Sequence, residues 1–446
     1  MEITKKIKLE ELDDDKGQIL LQACQEGSNE LKYHEHNNVT IKNEIMQSMR
    51  DDNLAQIFMY ISPFERPELA LVCKKWQKAL ASSWSNVRVL NYLSENDFDY
   101  HLMDPNRIRL LLKLCGRYLK ELNINIYIDS KMILLIQKYC INVEKINLGF
   151  NDRRDINFDN VFSQMHNMKT LRLELFLTRS LPESLINSIK DIAGTLTELT
   201  LDNIYCRSLV LPELLTSVLC QLGVLKVLNL NECELNDQLI QSVGNIPSLI
   251  KFSCSNKFGN RQVNMQPIIN LEKLESLSIK INCQIDDEFI KNLADKSNNL
   301  RELRILKPSL TDVSVNSLSK LKQLEIIDLD FLKPNNFITN YSVKCLSNLK
   351  FLKLSRCIHV TDYAFTKVLQ NSPELEYLNV AHTNVTRDIV KQAAQLTQNR
   401  ENNITLNLIV ALENTNGVLD TPEYKSKYLK VENKLDDRTI YLEHVQ

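Results

Sequence analysis

Leucine recurs through this chain on one frame, and that frame restricts the fold more than any other feature. In Leu349-Lys350-Phe351-Leu352-Lys353-Leu354-Ser355-Arg356-Cys357, leucines stand at relative positions 1, 4 and 6 and a cysteine at 9. Positions 3 to 7 fit a short strand whose side chains alternate, so Leu352 and Leu354 point inward while Phe351, Lys353 and Ser355 point outward. Asp362 then stands where a helix can be capped, and Ala364, Phe365, Val368 and Leu369 follow at helical spacing as one apolar face. The frame opens twelve times, at Leu119, Val143, Met168, Leu196, Leu225, Leu249, Leu274, Leu300, Leu324, Leu349, Leu375 and Asn403, in steps of 24 to 29 residues. A strand plus a helix of that length cannot bury its apolar face alone, so neighbouring units must stack.

The spacing and period resemble leucine-rich repeats, which implies an α/β solenoid, a horseshoe with a parallel sheet on its concave side. Cys233 and Cys357 at position 9, with helical openings near Asp237 and Asp362, resemble the cysteine-containing subclass. Pro247 and Pro373, each two residues before a template leucine, suit the turn into a strand. A solenoid lengthens without splitting its core, so 446 residues need not form several globular domains. The repeats are expected over 84–412, with Trp84, Val87 and Val89 on positions 1, 4 and 6 of a first strand. Ile108, Leu111, Leu112 and Cys115 form the helix behind it.

Ahead of the repeats, Leu54, Ile57, Phe58 and Ile61 sit at i, i+3, i+4 and i+7, an apolar helical face ended by Ser62-Pro63. Pro67 opens a second helical region with Leu69, Val72, Cys73, Trp76 and Leu80 along one side. So small a module needs something to lean on. The run from Asp51 to Pro63, with its Ile57-Phe58-Met59-Tyr60-Ile61-Ser62-Pro63 centre, continues to Leu71-Val72-Cys73-Lys74-Lys75-Trp76 and resembles an F-box. The resemblance covers roughly Met49 to Val89, within a module assigned to 46–90; the family's Leu-Pro opening is here Met49-Arg50. It implies a non-catalytic substrate receptor of a Skp-cullin-F-box ubiquitin ligase. Its partners would be the Skp adaptor, cullin and RING subunits through that adaptor, and a protein substrate. The adaptor-binding residues it implies are Met49, Leu54, Ile57, Phe58, Ile61, Pro63, Leu69, Leu71, Val72, Cys73 and Trp76. The alternative is a leucine-rich-repeat scaffold that engages no cullin.

Charge argues against other classes. A net charge of -2 draws neither nucleic acid nor an anionic membrane. On positions 3, 5 and 7 of the repeats, Lys145, Arg172, Lys251, Lys280, Arg304 and Lys353 stand against Glu121, Glu174, Glu198, Asp202, Glu302, Asp328 and Asp330, a mixed face that suits a protein partner. With nine glycines in the chain, no glycine-rich phosphate cradle occurs, and there is no C-x-x-C, so no cofactor or metal is expected. His34-Glu35-His36 lacks further ligands, and His166, His359 and His382 fall on different repeats. Eleven scattered cysteines read as reduced thiols of cytosol or nucleus, with Cys233, Cys254, Cys283 and Cys357 as buried small hydrophobes. Neither a signal-peptide-like start nor an 18-residue apolar run is present. Residues 1–45 are expected to be mostly disordered, and 413–446 to form a cap or tail.

One outward row stands apart. Position 3 of three successive repeats carries Ile326, Phe351 and Tyr377, which adjacent parallel strands would bring into one apolar stripe. Leu306 and Ile409 at position 7 are expected to widen it, and Arg304, Asp328 and Lys353 to ring it, the anatomy of a cargo-binding hot spot.

Overall fold

The computed structural model describes residues 49–92, 104–124, 128–150, 156–176, 180–204, 209–256, 262–281, 283–306, 308–331, 337–413, 419 and 421–434. The expectations for residues 1–45, including His34 and His36, lie outside them, as does most of the chain's end. The chain divides into two compact units, Met1–Phe176 with Pro182–Leu196 and Leu177–Leu181 with Thr197–Gln446.

Among the described residues the first unit opens with α1 (Asp51–Phe58), α2 (Arg66–Leu69) and α3 (Lys74–Ser83). Four strands follow, β1 (Val89–Tyr92), β2 (Glu121–Ile124), β3 (Lys145–Phe150) and β4 (Thr170–Phe176), with helices α4 (Pro105–Cys115), α5 (Ser130–Tyr139) and α6 (Glu183–Lys190). The strands pair in parallel and in chain order, which lines up Leu90, Leu122, Ile146 and Leu171 as one buried row. Helix starts are written locally: Asp104 accepts from Asn106 N ahead of Pro105, and Asp129 accepts from Met132 N.

Among the described residues the second unit repeats the device over a ladder of ten parallel strands, with a two-stranded parallel pair beside it. In chain order it holds β5 (Glu198–Ile204), β6 (Leu209–Val210), α7 (Glu213–Leu219), β7 (Val227–Asn231), β8 (Cys233–Glu234), α8 (Asp237–Gly244), β9 (Lys251–Ser255) and β10 (Ser276–Lys280). Then come α9 (Asp287–Lys296), β11 (Glu302–Leu306), α10 (Asp312–Leu318), β12 (Ile326–Asp330), α11 (Asn340–Val343), β13 (Phe351–Lys353) and α12 (Asp362–Asn371). The last described elements are β14 (Tyr377–Asn379), α13 (Asp388–Gln398), β15 (Leu406–Val410) and β16 (Leu429–Asn433). Strands β5, β7 and β9 to β16 form one ladder, and β6 pairs with β8 beside it. Along that ladder Leu228, Phe252, Leu277, Leu303, Ile327, Leu352, Leu378 and Leu408 stand side by side, all buried. The α/β leucine-rich-repeat fold expected from the frame is the fold adopted. Not every repeat carries an α-helix: Gln266–Asn270 is a single 3-10 turn packed so closely on α8 that a Cβ on Gly244 would come within 2.8 Å of the Pro267 carbonyl carbon.

Three register expectations need correcting. Val89 pairs with Glu121 and is exposed, so the first strand's frame opens at Val87 and buries Leu90 and Tyr92. At the other end Leu408, not Leu406, pairs with Leu378, which moves the last opening from Asn403 to Thr405. Asp362 is not a cap: Thr361 precedes its helix as the N-cap residue, whereas the helical openings expected near Asp237 and Asp362 stand where expected, each aspartate taking the first helical position.

Those first-position carboxylates reach forward to the next repeat. Asp287 accepts from Thr311 N at 2.9 Å, from Thr311 Oγ1 at 2.6 Å and from Ser314 Oγ, and Asp312 does the same for Thr339 and Ser342. Asp362 accepts from Thr386 in turn, and Asn340 takes the rung between, binding Thr361 N and Oγ1 at 2.9 Å each. Burial pushes the Asp287 carboxyl up, but the hydrogen bonds from Ser314 and Thr311 outweigh it and hold it below its ordinary value. Its folded pKa is therefore lower than its unfolded one. The stabilisation is complete above the unfolded value of about 3.9 and is lost as pH falls through the lowered folded value. Urea midpoints measured from about pH 6 to about pH 3 should fall less steeply in Asp287→Asn than in the parent.

Leu352→Ala should cost about 2–5 kcal/mol, since the side chain is fully buried and only partial collapse can fill its space. Repeats couple chiefly to neighbours, so faster hydrogen exchange should centre on residues 324–400. Uniform acceleration along the whole ladder would contradict that.

Candidate functional site

Two surfaces stand out, one on each unit. In the three-helix module, Leu54, Ala55, Phe58, Ala79 and Leu80 form the core, with Met49, Ile57, Ile61, Leu69, Ala70 and Trp76 packed around it. Phe58 meets Trp76 with ring centroids 5.2 Å apart. Two of the expected adaptor contacts are thereby corrected: Leu54 and Phe58 are buried inside the module and have no surface to offer a partner. Ile57, Ile61, Pro63, Leu69, Cys73 and Trp76 are half-buried. The apolar groups facing out are Leu71, Val72 and Tyr60, the last 93% exposed and not among the sequence candidates.

Arg66 organises the rest of the module. Its guanidinium is buried and donates to the carbonyls of Ile61 (3.0 Å), Ser83 (2.7 Å) and Met59 (3.0 Å) and to Asn86 Oδ1 (3.0 Å), while lying 5.4 Å from the centre of the Trp84 ring. These bonds tie the end of α1 to the end of α3. Nothing in the local pattern marks this arginine, because carbonyl partners are not encoded by residue type. The module is also fastened to the first repeat. Arg107 of α4 donates to Phe64 O at 2.5 and 3.2 Å and pairs with Glu68 at 3.4 Å, and Phe64 stacks on Tyr92 of β1 at 5.7 Å.

The second surface lies on the sheet of the other unit. Register places Glu302, Ile326, Phe351, Tyr377 and Asn407 in one row, and Arg304, Asp328, Lys353, Asn379 and Ile409 in the next but one. Ile326, Phe351 and Tyr377 thus stand in one half-buried row, and within it Phe351 and Tyr377 stack, parallel to within 2° at 4.3 Å. Arg304 lies 5.0 Å from the Phe351 ring centre and is itself held by Glu302 (2.5 Å) and Asp328 (3.3 Å). Burial raises the Glu302 pKa, but hydrogen bonds from Arg304 and Ser276 reverse the balance and keep it an anion. The expected ring of charge is corrected in part. Asp328 and Lys353 are only 6% and 5% exposed and sit 3.9 Å apart, a buried pair rather than part of an exposed ring. Leu306 is half-buried beside Asp330, and Ile409 is buried and does not widen the stripe.

The cysteines behave as packing groups. Burial lifts the thiols of Cys115 and Cys283 to about 12, and those of Cys140, Cys233 and Cys254 further, so they stay protonated near neutrality. Among the described residues no three His, Cys, Asp or Glu side chains gather so as to hold a metal ion, and no helix is long and apolar enough to cross a membrane.

With this geometry in place, comparison with known proteins defines the class. The F-box domain family matches residues 48–88, the three-helix module. The chain therefore carries an F-box domain ahead of an α/β leucine-rich-repeat fold. Similar solved structures include an internalin from Listeria monocytogenes, at 16% identity and TM-score 0.43 over 85% of this chain and 98% of that one. The complex of Rad7 and Elc1 in yeast matches at 15% identity and TM-score 0.42 over 91% of this chain and 100% of that one. No curated protein sequence matches the chain.

Proposed function

We propose that this chain is the non-catalytic substrate-recognition subunit of a Skp-cullin-F-box ubiquitin ligase, acting in cytosol or nucleus. F-box domains bind Skp-type adaptors. Here the adaptor meets Tyr60, Leu71 and Val72, with Met49, Ile57 and Ile61 at the margin. The cullin and RING subunits join through that adaptor, and the row of Ile326, Phe351 and Tyr377 takes a protein cargo for ubiquitination and proteasomal degradation. The observation that carries the reading is the F-box at 48–88, with its apolar Leu71-Val72 corner turned outward. The bonds of Arg107 to Phe64 and Glu68 support it further, since a receptor must hold its adaptor contact rigidly against its first repeat.

Leu71→Asp combined with Val72→Asp tests it. Burying two unpaired carboxylates at an interface costs several kcal/mol, comparable with the ~8 kcal/mol of a micromolar complex. The double variant should lose Skp adaptor and cullin from a pull-down while melting like the parent. A parent chain that recovers neither protein would instead be a scaffold outside the ligase.

A further inference from the structure

The second unit presents another apolar surface, away from the sheet, where its helices begin. Phe337 is 69% exposed, Tyr341 66% and Tyr363 55%, and Val313 and Ile358 are exposed beside them. They are neighbours by construction. Val313, Tyr341 and Tyr363 each occupy the second position of a helix, α10, α11 and α12, whose starts are tied in series by the Asp312–Thr339 and Asn340–Thr361 bonds. Phe337 is bridged to Thr311 at the start of α10, and His359 to Thr339 at the start of α11.

The same row continues one repeat further in each direction, and there it changes character. The second position of α9 is Glu288, and beyond α12 the residue whose amide Thr386 Oγ1 accepts is Asp388. Both are exposed. The row therefore reads acid, Val313, Tyr341, Tyr363, acid. The Tyr341 ring already draws a cation, since Lys344 Nζ lies 5.4 Å from its centre. Packed helices stand about 8–10 Å apart, so the five positions span roughly 32–40 Å, the length of about 10–12 extended residues.

We propose that this row is a docking surface, distinct from the cargo face, for an extended segment of a partner protein that is apolar in its middle and carries Lys or Arg at both ends. Exposed aromatics at equivalent positions of successive repeats supply the anchors, and Glu288 and Asp388 fix the ends and the charge of the occupant.

The test uses the full chain and two labelled synthetic peptides, alike in a Leu- and Tyr-containing centre and ended by either lysines or glutamates. Fluorescence anisotropy should show the lysine-ended peptide binding more tightly, with affinity falling at least about tenfold in Tyr341→Ala with Tyr363→Ala. Glu288→Lys with Asp388→Lys should reverse the preference between the peptides. Both variants alter exposed side chains, and unchanged melting checks that they fold. Equal affinity for the two peptides, absence of binding, or indifference to either double variant overturns the proposal. So does a dimer in sedimentation that Tyr341→Ala dissolves, because the occupant would then be a second copy of the chain.

Discussion

Arg66→Met should unfold the F-box domain and leave the ladder of the second unit folded. The methionine fills most of the volume but donates nothing, so the Ser83 carbonyl loses its arginine donor in a buried setting, the Ile61 carbonyl loses its own in a part-buried one, and Met59 O is left with Asn86 Nδ2 at 2.9 Å. Leaving buried acceptors unpaired costs about 1–3 kcal/mol each, and breaking a buried charged network typically costs about 3–5 kcal/mol in all. A module of this size has little stability to spare. The chain makes the measurement simple, because its two tryptophans are Trp76 and Trp84, both in this domain, and Trp84 is buried against Arg66. In Arg66→Met the tryptophan emission should shift to that of solvated indole at a temperature where circular dichroism still reports the repeats intact. Emission unchanged from the parent would mean that the arginine is dispensable.

The second large effect concerns cargo. Phe351→Ala with Tyr377→Ala should lower cargo affinity by about 2–4 kcal/mol, the range of paired aromatic anchors. The two rings face each other at 4.3 Å, and Arg304 is held against Phe351 by Glu302 and Asp328, so the site is preorganised and electrically balanced. A cargo meeting it gains apolar contact without having to separate charges. Adaptor recovery should be unchanged in this variant, whereas cargo capture and ubiquitination should fall together. Wild-type capture would make the stack a structural feature of the sheet.

Much of this architecture was legible because strand side chains alternate with a period of two, and a leucine at positions 4 and 6 of each repeat can face only one way. The same logic puts Ile326, Phe351 and Tyr377 into one row, as the strand register does. It slipped at both ends of the array. At Val89 the apolar residues of the F-box run on into the first strand and offer a second plausible frame, and only pairing with Glu121 selects between them. Around Thr405 the polar opening residue removes the leucine that would set the phase. Within the F-box, one helical apolar stripe was legible but not its division, because in so small a module the same stripe supplies both core, as at Phe58, and surface. Depth on the sheet was also hidden: Lys353 reads as an outward cation, yet it is 5% exposed and lies 3.9 Å from Asp328. Arg66 and the forward-reaching aspartates were illegible for a shared reason, since their partners lie in backbone carbonyls and in the next repeat rather than in local spacing.

The most direct test of the central claim is titration of the purified full-length chain with purified Skp adaptor, followed by isothermal calorimetry. The expected result is a one-to-one complex that is abolished by Leu71→Asp with Val72→Asp and untouched by Phe351→Ala with Tyr377→Ala. No heat of binding from a folded parent chain, or a complex indifferent to the Leu71 and Val72 substitutions, would contradict it.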